Sequence, residues 1–136
     1  MAIPEEKREI WTKEEKLEYY REENRHIIPQ QILCVGSSLM EQFPIEKFVE
    51  EDGAQVVLYN RGIGGYVTRE LLEAIDVCIL DVKPFRMFIN IGTNDLSNPA
   101  MPLEQIMKMY GEILERVQKA LPETEMYLMA YYPVNY

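Results

Sequence analysis

The sequence is poor in the residues from which many catalytic and metal sites are built. Its 136 residues contain one histidine, His26, and two cysteines, Cys34 and Cys78. Both cysteines stand inside apolar strings, QILCVG and IDVCIL, so we interpret them as buried reduced thiols and not as a disulfide or metal site. The sequence therefore predicts no metal site and no cofactor.

Positive charge and long apolar runs are also scarce. Fourteen Lys and Arg residues stand against 23 Asp and Glu, which leaves a formal charge of −9. A surface this acidic repels phosphate backbones and anionic lipids, so nucleic acids and membrane surfaces are excluded as expected partners. No apolar run approaches the ~20 residues of a membrane span, and the charged N-terminus is unlike a secretory signal. We expect a cytoplasmic protein without a membrane span.

The residues that are present favour one compact domain. Apolar residues make up 47% and charged residues 27% of the chain. Residues 5–24 form a charged, helix-favouring segment with a weak apolar stripe. We therefore predict an N-terminal helical extension over residues 1–29 and one domain over residues 30–136. The outer helix is interpreted either as a solvated face or as a contact for a partner chain.

From residue 31 onward, apolar strands alternate with helical stretches, which is typical of a parallel sheet with helices on both faces. Pro44 is expected to interrupt the first of these helices, and Thr68 to cap the second. Strands are predicted at 31–36, 55–59, 85–91 and 125–131. Helices are predicted at 39–50, 68–80 and 102–121.

Unusual residues follow three of the four predicted strands. A serine pair, Ser37-Ser38, comes after the first strand, and glycine-rich residues 62–65 come after the second. Residues 92–95, Gly-Thr-Asn-Asp, come after the third. Each segment by itself is typical of a helix cap or a turn. Together they bring a hydroxyl, backbone N–H donors and an amide to one edge of the sheet, which suits nucleophilic attack on a carbonyl with a stabilised oxyanion.

These segments are similar to the sequence blocks of a known family. Gly-Ser-Ser-Leu-Met, Asn-Arg-Gly-Ile-Gly-Gly and Ile-Gly-Thr-Asn-Asp resemble the first three blocks of the SGNH (GDSL-like) hydrolases. The similarity is greatest to the bacterial branch related to platelet-activating-factor acetylhydrolase, and it covers about residues 31–133. It implies a flavodoxin-like, three-layer α/β/α fold and the hydrolysis of small or short-chain carboxylic esters.

The resemblance assigns roles to individual residues of this chain. Ser38 corresponds to the nucleophilic serine, and the oxyanion hole corresponds to the N–H groups of Ser38 and Gly65 with the side chain of Asn94. Asp95 is expected to organise its loop, and Gly64 is the alternative donor if the loop register differs by one residue. The supporting residues are Gly64, Gly92 and Asp95.

The chain departs from the family pattern at two places. Ser37 stands where many members have aspartate, and the Asp-x-x-His block that carries the general base does not occur. His26 precedes the first strand whereas Ser38 follows it, and six strand residues rise roughly 20 Å. We therefore expect that His26 is not the base within one chain, because a base needs a contact of about 3 Å. Donation from another subunit stays open.

These departures lead to expectations about the chain as a whole. We interpret it as the N-terminal portion of a hydrolase domain that lacks the last strand and the closing helix. We expect no meaningful ester turnover by this chain alone, and poor stability or self-association, through the N-terminal helix or an exposed fourth strand. A non-catalytic binding or assembly module is one alternative function. A flavodoxin-like or nucleotide-binding domain that uses residues 62–65 as an anion loop is the other.

Overall fold

The computed structural model of the protein describes residues 2–53 and 56–129. Their strands form one four-stranded sheet in the order β2-β1-β3-β4, in which every neighbouring pair is parallel. The predicted parallel sheet is confirmed. The strands are β1 (Ile32–Gly36), β2 (Leu58–Gly62), β3 (Arg86–Asn90) and β4 (Glu125–Leu128).

Helices connect the strands, and the longest one lies between β3 and β4. The described helices are α1 (Lys13–Glu23), α2 (Ser38–Gln42), α3 (Ile45–Glu51), α4 (Thr68–Glu73), α5 (Ile75–Cys78), α6 (Thr93–Leu96) and α7 (Leu103–Ala120). Pro44 separates α2 from α3, as predicted. The predictions for β3 and α7 differ from the structure by one residue at each end. Residues 130 and 131 of the fourth predicted strand lie outside the described residues.

The main core lies on one face of the sheet. Alternate strand residues such as Leu33, Val35 and Ile89 are fully buried there, since successive side chains of a strand point to opposite faces. They pack against apolar residues of α1, α4, α5 and α7, for example Tyr20 and Ile113. Because these helices cover one face and α2 lies against the other, the chain has the three-layer α/β/α arrangement of a flavodoxin-like fold.

The opposite face of the sheet is covered less completely. Phe88 of β3 stacks on Tyr127 of β4 with ring centroids 5.1 Å apart. Tyr127 and Leu128 are exposed at 44% and 55%, and β4 forms one edge of the sheet among the described residues. The predicted self-association through this strand stays a prediction.

Two predicted elements differ substantially from the structure. The second strand covers Leu58–Gly62 and not residues 55–59, of which residue 55 lies outside the described part. It continues through Asn60 and Arg61 because tertiary contacts satisfy both polar side chains, as described below. The helix predicted over 68–80 is broken near Ala74, whose backbone leaves the helical region at φ −99° and ψ 19°.

The expected helix cap at Thr68 is wrong. Val67 is the extended residue that precedes α4, and Thr68 is already the first helical residue. Its hydroxyl donates to the carboxylate of Asp95 at 2.8 Å instead of capping its own helix. The Thr68 side chain therefore contacts Asp95, which follows β3, and not the backbone of its own helix.

The N-terminal segment packs on the domain. A short 3₁₀ turn at Glu5–Lys7 precedes α1, whose N-cap Thr12 forms a capping box with Glu15. The outer side of α1 is solvated, but Tyr20 is fully buried and Lys16 is 5% exposed. The division into 1–29 and 30–136 stays a prediction.

Candidate active site

The three loops that carry the predicted site meet at the carboxyl edge of the sheet. Gly36, the last residue of β1, pairs in register with Gly62 of β2 and with Asn90 of β3. The three strands therefore end at the same level. A Cβ on Gly36 would lie 2.1 Å from the Asn90 carbonyl oxygen, so only glycine fits between the strands here. The segments that follow are brought side by side.

Ser38 is the first residue of α2 and is partly buried, whereas Ser37 is 5% exposed. The helix lies directly on the end of β2, since a Cβ on Gly62 would be 2.3 Å from the Glu41 nitrogen. Asn60 fixes the same contact, because its side-chain amide donates to the Met40 carbonyl at 2.8 Å. The position of Ser38 is thus set by the packing of α2 against β2.

The glycine loop, residues 62–67 at the end of β2, turns beside this helix. Gly65 has a φ of 80°, in the left-handed region that favours glycine. The Gly64 N–H donates to the Glu41 carboxylate at 2.9 Å and is therefore already engaged. Within residues 2–53 and 56–129 the structure contains no acceptor for the Gly65 N–H. Of these two N–H groups, that of Gly65 is the one without an acceptor in the described residues.

The loop after β3 is joined to the glycine loop by two side chains. Gly92 turns the backbone at φ 114°, and the Asn94 side-chain amide donates to the Tyr66 carbonyl at 2.9 Å. An Asn amide has two N–H groups, so one remains after this bond. Asp95 accepts the N–H and the hydroxyl of Thr68 at 2.9 and 2.8 Å. This is consistent with the loop-organising role predicted for Asp95.

Sequence reasoning missed the charged residues that support these loops. Lys16 and Glu41 form an ion pair of 2.8 Å with side chains only 6% and 2% exposed. Both residues lie in amphipathic stretches where a charge normally indicates a solvated face. No local signal distinguishes them from their exposed neighbours, because α1 and the glycine loop meet only in the folded chain.

Arg61 was also missed, although it stands inside one of the recognised blocks. It is fully buried and lies 4.8 Å from the ring centroid of Tyr20, and its guanidinium donates to the Asn24 side chain at 2.9 and 3.1 Å. Burial lowers the pKa of Arg61 from its ordinary value, and burial raises the pKa of Tyr20 well above its own. The neutral phenol therefore donates to the Gly62 carbonyl at 2.6 Å.

His26 is exposed, and residues two positions before and after it contact other elements. Asn24 donates to the Val77 carbonyl at 2.7 Å, and the Ile28 N–H donates to the Tyr59 hydroxyl at 2.8 Å. The histidine thus belongs to the segment that runs beside the edge strand β2 toward the start of β1.

An open apolar pocket of about 260 Å³ adjoins α2 on the less covered face of the sheet. Its lining includes Leu39, which follows Ser38 directly, with Phe43 and Phe88. Among the described residues, three or more metal-ligating side chains do not come together. In the same part of the chain, each helix is too short or too polar to cross a bilayer.

This parallel α/β fold, with Ser38, a glycine loop and Asn94 at one edge of the sheet, matches a known family of hydrolases. A family model for the GDSL-like lipase/acylhydrolase family matches residues 35–136. The chain belongs to this family. A comparison with curated protein sequences gave no significant match.

Solved structures agree with this assignment. A Streptococcus pneumonia protein assigned as a platelet activating factor superposes with a TM-score of 0.79 and 31% identity, over 90% of this chain and 56% of that one. A GDSL-like lipase from Bacteroides thetaiotaomicron gives 0.69 and 18%, over 82% and 56%. The psychrotrophic esterase EstA from Pseudoalteromonas sp. gives 0.63 and 20%, over 74% and 59%. This chain spans little more than half the length of these neighbours.

Proposed function

We propose that the protein is a serine esterase or acylhydrolase that acts on small or short-chain carboxylic esters through an acyl-enzyme on Ser38. In this proposal the Ser38 hydroxyl attacks the ester carbonyl and the leaving alcohol departs, after which water releases the acid. The N–H groups of Ser38 and Gly65 and the Asn94 amide stabilise the oxyanion. Gly92 and Asp95 support the loop that carries Asn94, and Gly64 supports the glycine loop.

The observation that carries the proposal is the bond between Asn94 and the Tyr66 carbonyl. It ties the asparagine amide to Tyr66, the residue that follows Gly65, and Gly65 itself has a left-handed backbone. Donors preorganised in this way act on a developing oxyanion without further reorganisation. The family supports ester hydrolysis as the type of reaction.

The proposal places the general base outside the copy of residues 1–136 that carries the attacking Ser38. The sequence has a single histidine, His26, which is exposed, and from its place before β1 we expect that it does not serve Ser38 of the same chain. A further segment of the protein or another subunit would supply the base. The cytoplasmic location and the absence of nucleic-acid partners belong to the proposal as well.

The test uses p-nitrophenyl acetate and the complete protein that the gene encodes. Ser38→Ala should lower kcat/KM by at least about 10³-fold, since the nucleophile is lost. Asn94→Ala should lower kcat by about 10²–10³-fold, the usual effect of removing one oxyanion donor. Ser37→Ala is the matched control and should stay within about threefold of wild type. Unchanged hydrolysis by Ser38→Ala would refute the assignment.

The same substrate tests the source of the base. The purified 136-residue chain should hydrolyse the ester orders of magnitude more slowly than the complete protein, because a serine without its base retains only binding and oxyanion stabilisation. Robust turnover by the short chain would overturn the roles given to Ser38 and His26.

The position of His26 also favours a second candidate, a non-catalytic binding module on the same fold. This candidate predicts that the complete protein binds esters without hydrolysing them. Turnover that depends on Ser38 excludes it.

A further inference from the structure

Helix α1 reaches the candidate oxyanion loop through one face. Lys13, Lys16 and Tyr20 are spaced three and four residues apart, so they lie on the same side of the helix. Tyr20 contacts residues 62–67 directly, whereas each lysine pairs with a carboxylate that accepts an N–H group of the same segment. We infer that Glu41, paired with Lys16 of α1, is the positioning residue of this loop for catalysis and acts through its bond to the Gly64 N–H. The inference rests on the proposed function.

The Lys16–Glu41 ion pair connects three elements at one point. Glu41 follows Ser38 by three residues in α2, and its carboxylate accepts both the Lys16 ammonium at 2.8 Å and the Gly64 N–H at 2.9 Å. A Cβ on Gly64 would lie 3.3 Å from this carboxylate and 3.5 Å from the ammonium. One buried carboxylate therefore ties the nucleophile helix to the glycine loop and to α1.

Two further contacts hold the loop on either side of Gly64. The Tyr20 hydroxyl donates to the Gly62 carbonyl at 2.6 Å. Lys13 bonds Glu70 at 2.8 Å, and Glu70 also accepts the Val67 N–H at 3.0 Å. The loop is therefore fixed before, at and after the two glycines.

The contact at Gly64 matters most for the chemistry. It fixes the peptide group that precedes Gly64, one residue from the N–H of Gly65 that is proposed to bind the oxyanion. Misplacement of a reacting group by about 1 Å can cost about 100-fold in rate. Loss of the Glu41 acceptor should therefore act on kcat more than on KM, because the inferred role of Glu41 is to position the loop and not to bind the substrate.

A buried ion pair is a poor way to add stability. Desolvation of two charges offsets most of their attraction, and apolar residues of similar size often stabilise a protein as well. What apolar residues do not supply is an acceptor for the Gly64 N–H. The acceptor, and not the charge, is the property that the inference assigns to Glu41.

Two double variants of the complete protein separate the acceptor from the charge. Lys16→Met with Glu41→Gln removes both charges and keeps a side-chain oxygen for the Gly64 N–H. Lys16→Met with Glu41→Met removes the oxygen as well. We expect kcat for p-nitrophenyl acetate to stay within about threefold of wild type in the first variant and to fall about 10- to 100-fold in the second, with KM changed by less than about threefold in both.

A surface pair on α7 provides the control. Lys119 and Glu115 form an ion pair of 3.0 Å with side chains 76% and 63% exposed. Lys119→Met with Glu115→Met should leave kcat and KM unchanged, since exposed pairs contribute little. Equal kcat values for the two Lys16 and Glu41 double variants would overturn the inference.

Amide hydrogen exchange provides a readout that is independent of activity. In the wild-type protein the Gly64 N–H should exchange at least about 100-fold more slowly than the Gly65 N–H. Lys16→Met with Glu41→Gln should retain this protection, since it keeps the acceptor and leaves no unpaired buried charge. Exchange of Gly64 at the rate of Gly65 would overturn the inference even if the methionine variant fails to fold. Protection of Gly64 in a wild-type protein without esterase turnover would refute the proposed function and support the contact.

Discussion

Replacement of Gly62 by alanine tests whether α2 must lie directly on the end of β2. The new methyl group would lie 2.3 Å from the Glu41 nitrogen and 2.8 Å from the Glu41 Cα and the Met40 carbonyl carbon. All three atoms belong to the backbone of α2, so no side chain can rotate to make room. The substitution therefore has to displace the helix that begins at Ser38.

The cost follows from the size of this displacement. Ordinary contact begins at 3.4 Å, so α2 must move by about 1 Å. The bond between the Asn60 amide and the Met40 carbonyl, 2.8 Å long, opposes this movement. Overpacking a core usually costs about 1–3 kcal/mol, and we expect about 3 kcal/mol here because backbone atoms are involved. The melting temperature should fall by about 10 °C.

Urea unfolding followed by circular dichroism measures this free energy. Gly111→Ala is the matched control, because a Cβ on this glycine of α7 meets nothing within 4 Å apart from its chain neighbours and the backbone of its own helix. That change should stabilise the protein by about 0.5–1 kcal/mol, since alanine favours a helix interior more than glycine does. If Gly62→Ala unfolds at the same urea concentration as wild type, the close packing of α2 on β2 is wrong.

Two further predictions concern buried polar groups. Tyr20→Phe removes the donor of the 2.6 Å bond to the Gly62 carbonyl and should lower the free energy of urea unfolding by about 1–3 kcal/mol. The control, Tyr127→Phe on the exposed strand, should lower it by less than about 0.5 kcal/mol. Equal effects of the two substitutions would refute the role of the buried hydroxyl. Burial raises the pKa of Cys34 to about 11 and that of Cys78 to about 12, whereas an unfolded thiol has a pKa of about 8.5. The unfolded state therefore loses its thiol protons first as pH rises, and stability should fall above about pH 8.5, by ~1–2 kcal/mol for each thiol at about pH 10. Cys34→Ala should reduce this slope, and a slope equal to that of wild type would contradict the burial argument.

Several features of the fold could be predicted from local patterns. The alternation of apolar strands and helical stretches indicated the parallel sheet, and Pro44 marked the break between α2 and α3. The boundaries failed where tertiary contacts satisfy polar side chains. Asn60 and Arg61 look like loop residues in the sequence, yet they lie inside β2 because Met40 and Asn24 provide their hydrogen-bond partners.

The candidate site also has features that local sequence patterns predict and others that depend on tertiary contacts. By itself, the sequence determined which residues stand at the strand ends, Ser38, Gly65 and Asn94, because a hydroxyl, a glycine and an amide after a buried strand can be identified without a partner. Only the tertiary structure decided how these residues are held. The Lys16 ammonium, the Glu41 carboxylate and the Gly64 N–H come from three separate segments, and each is an ordinary solvated group until folding removes water from all of them. Burial and pairing are properties of the assembled chain, so the sequence alone gives no sign of them.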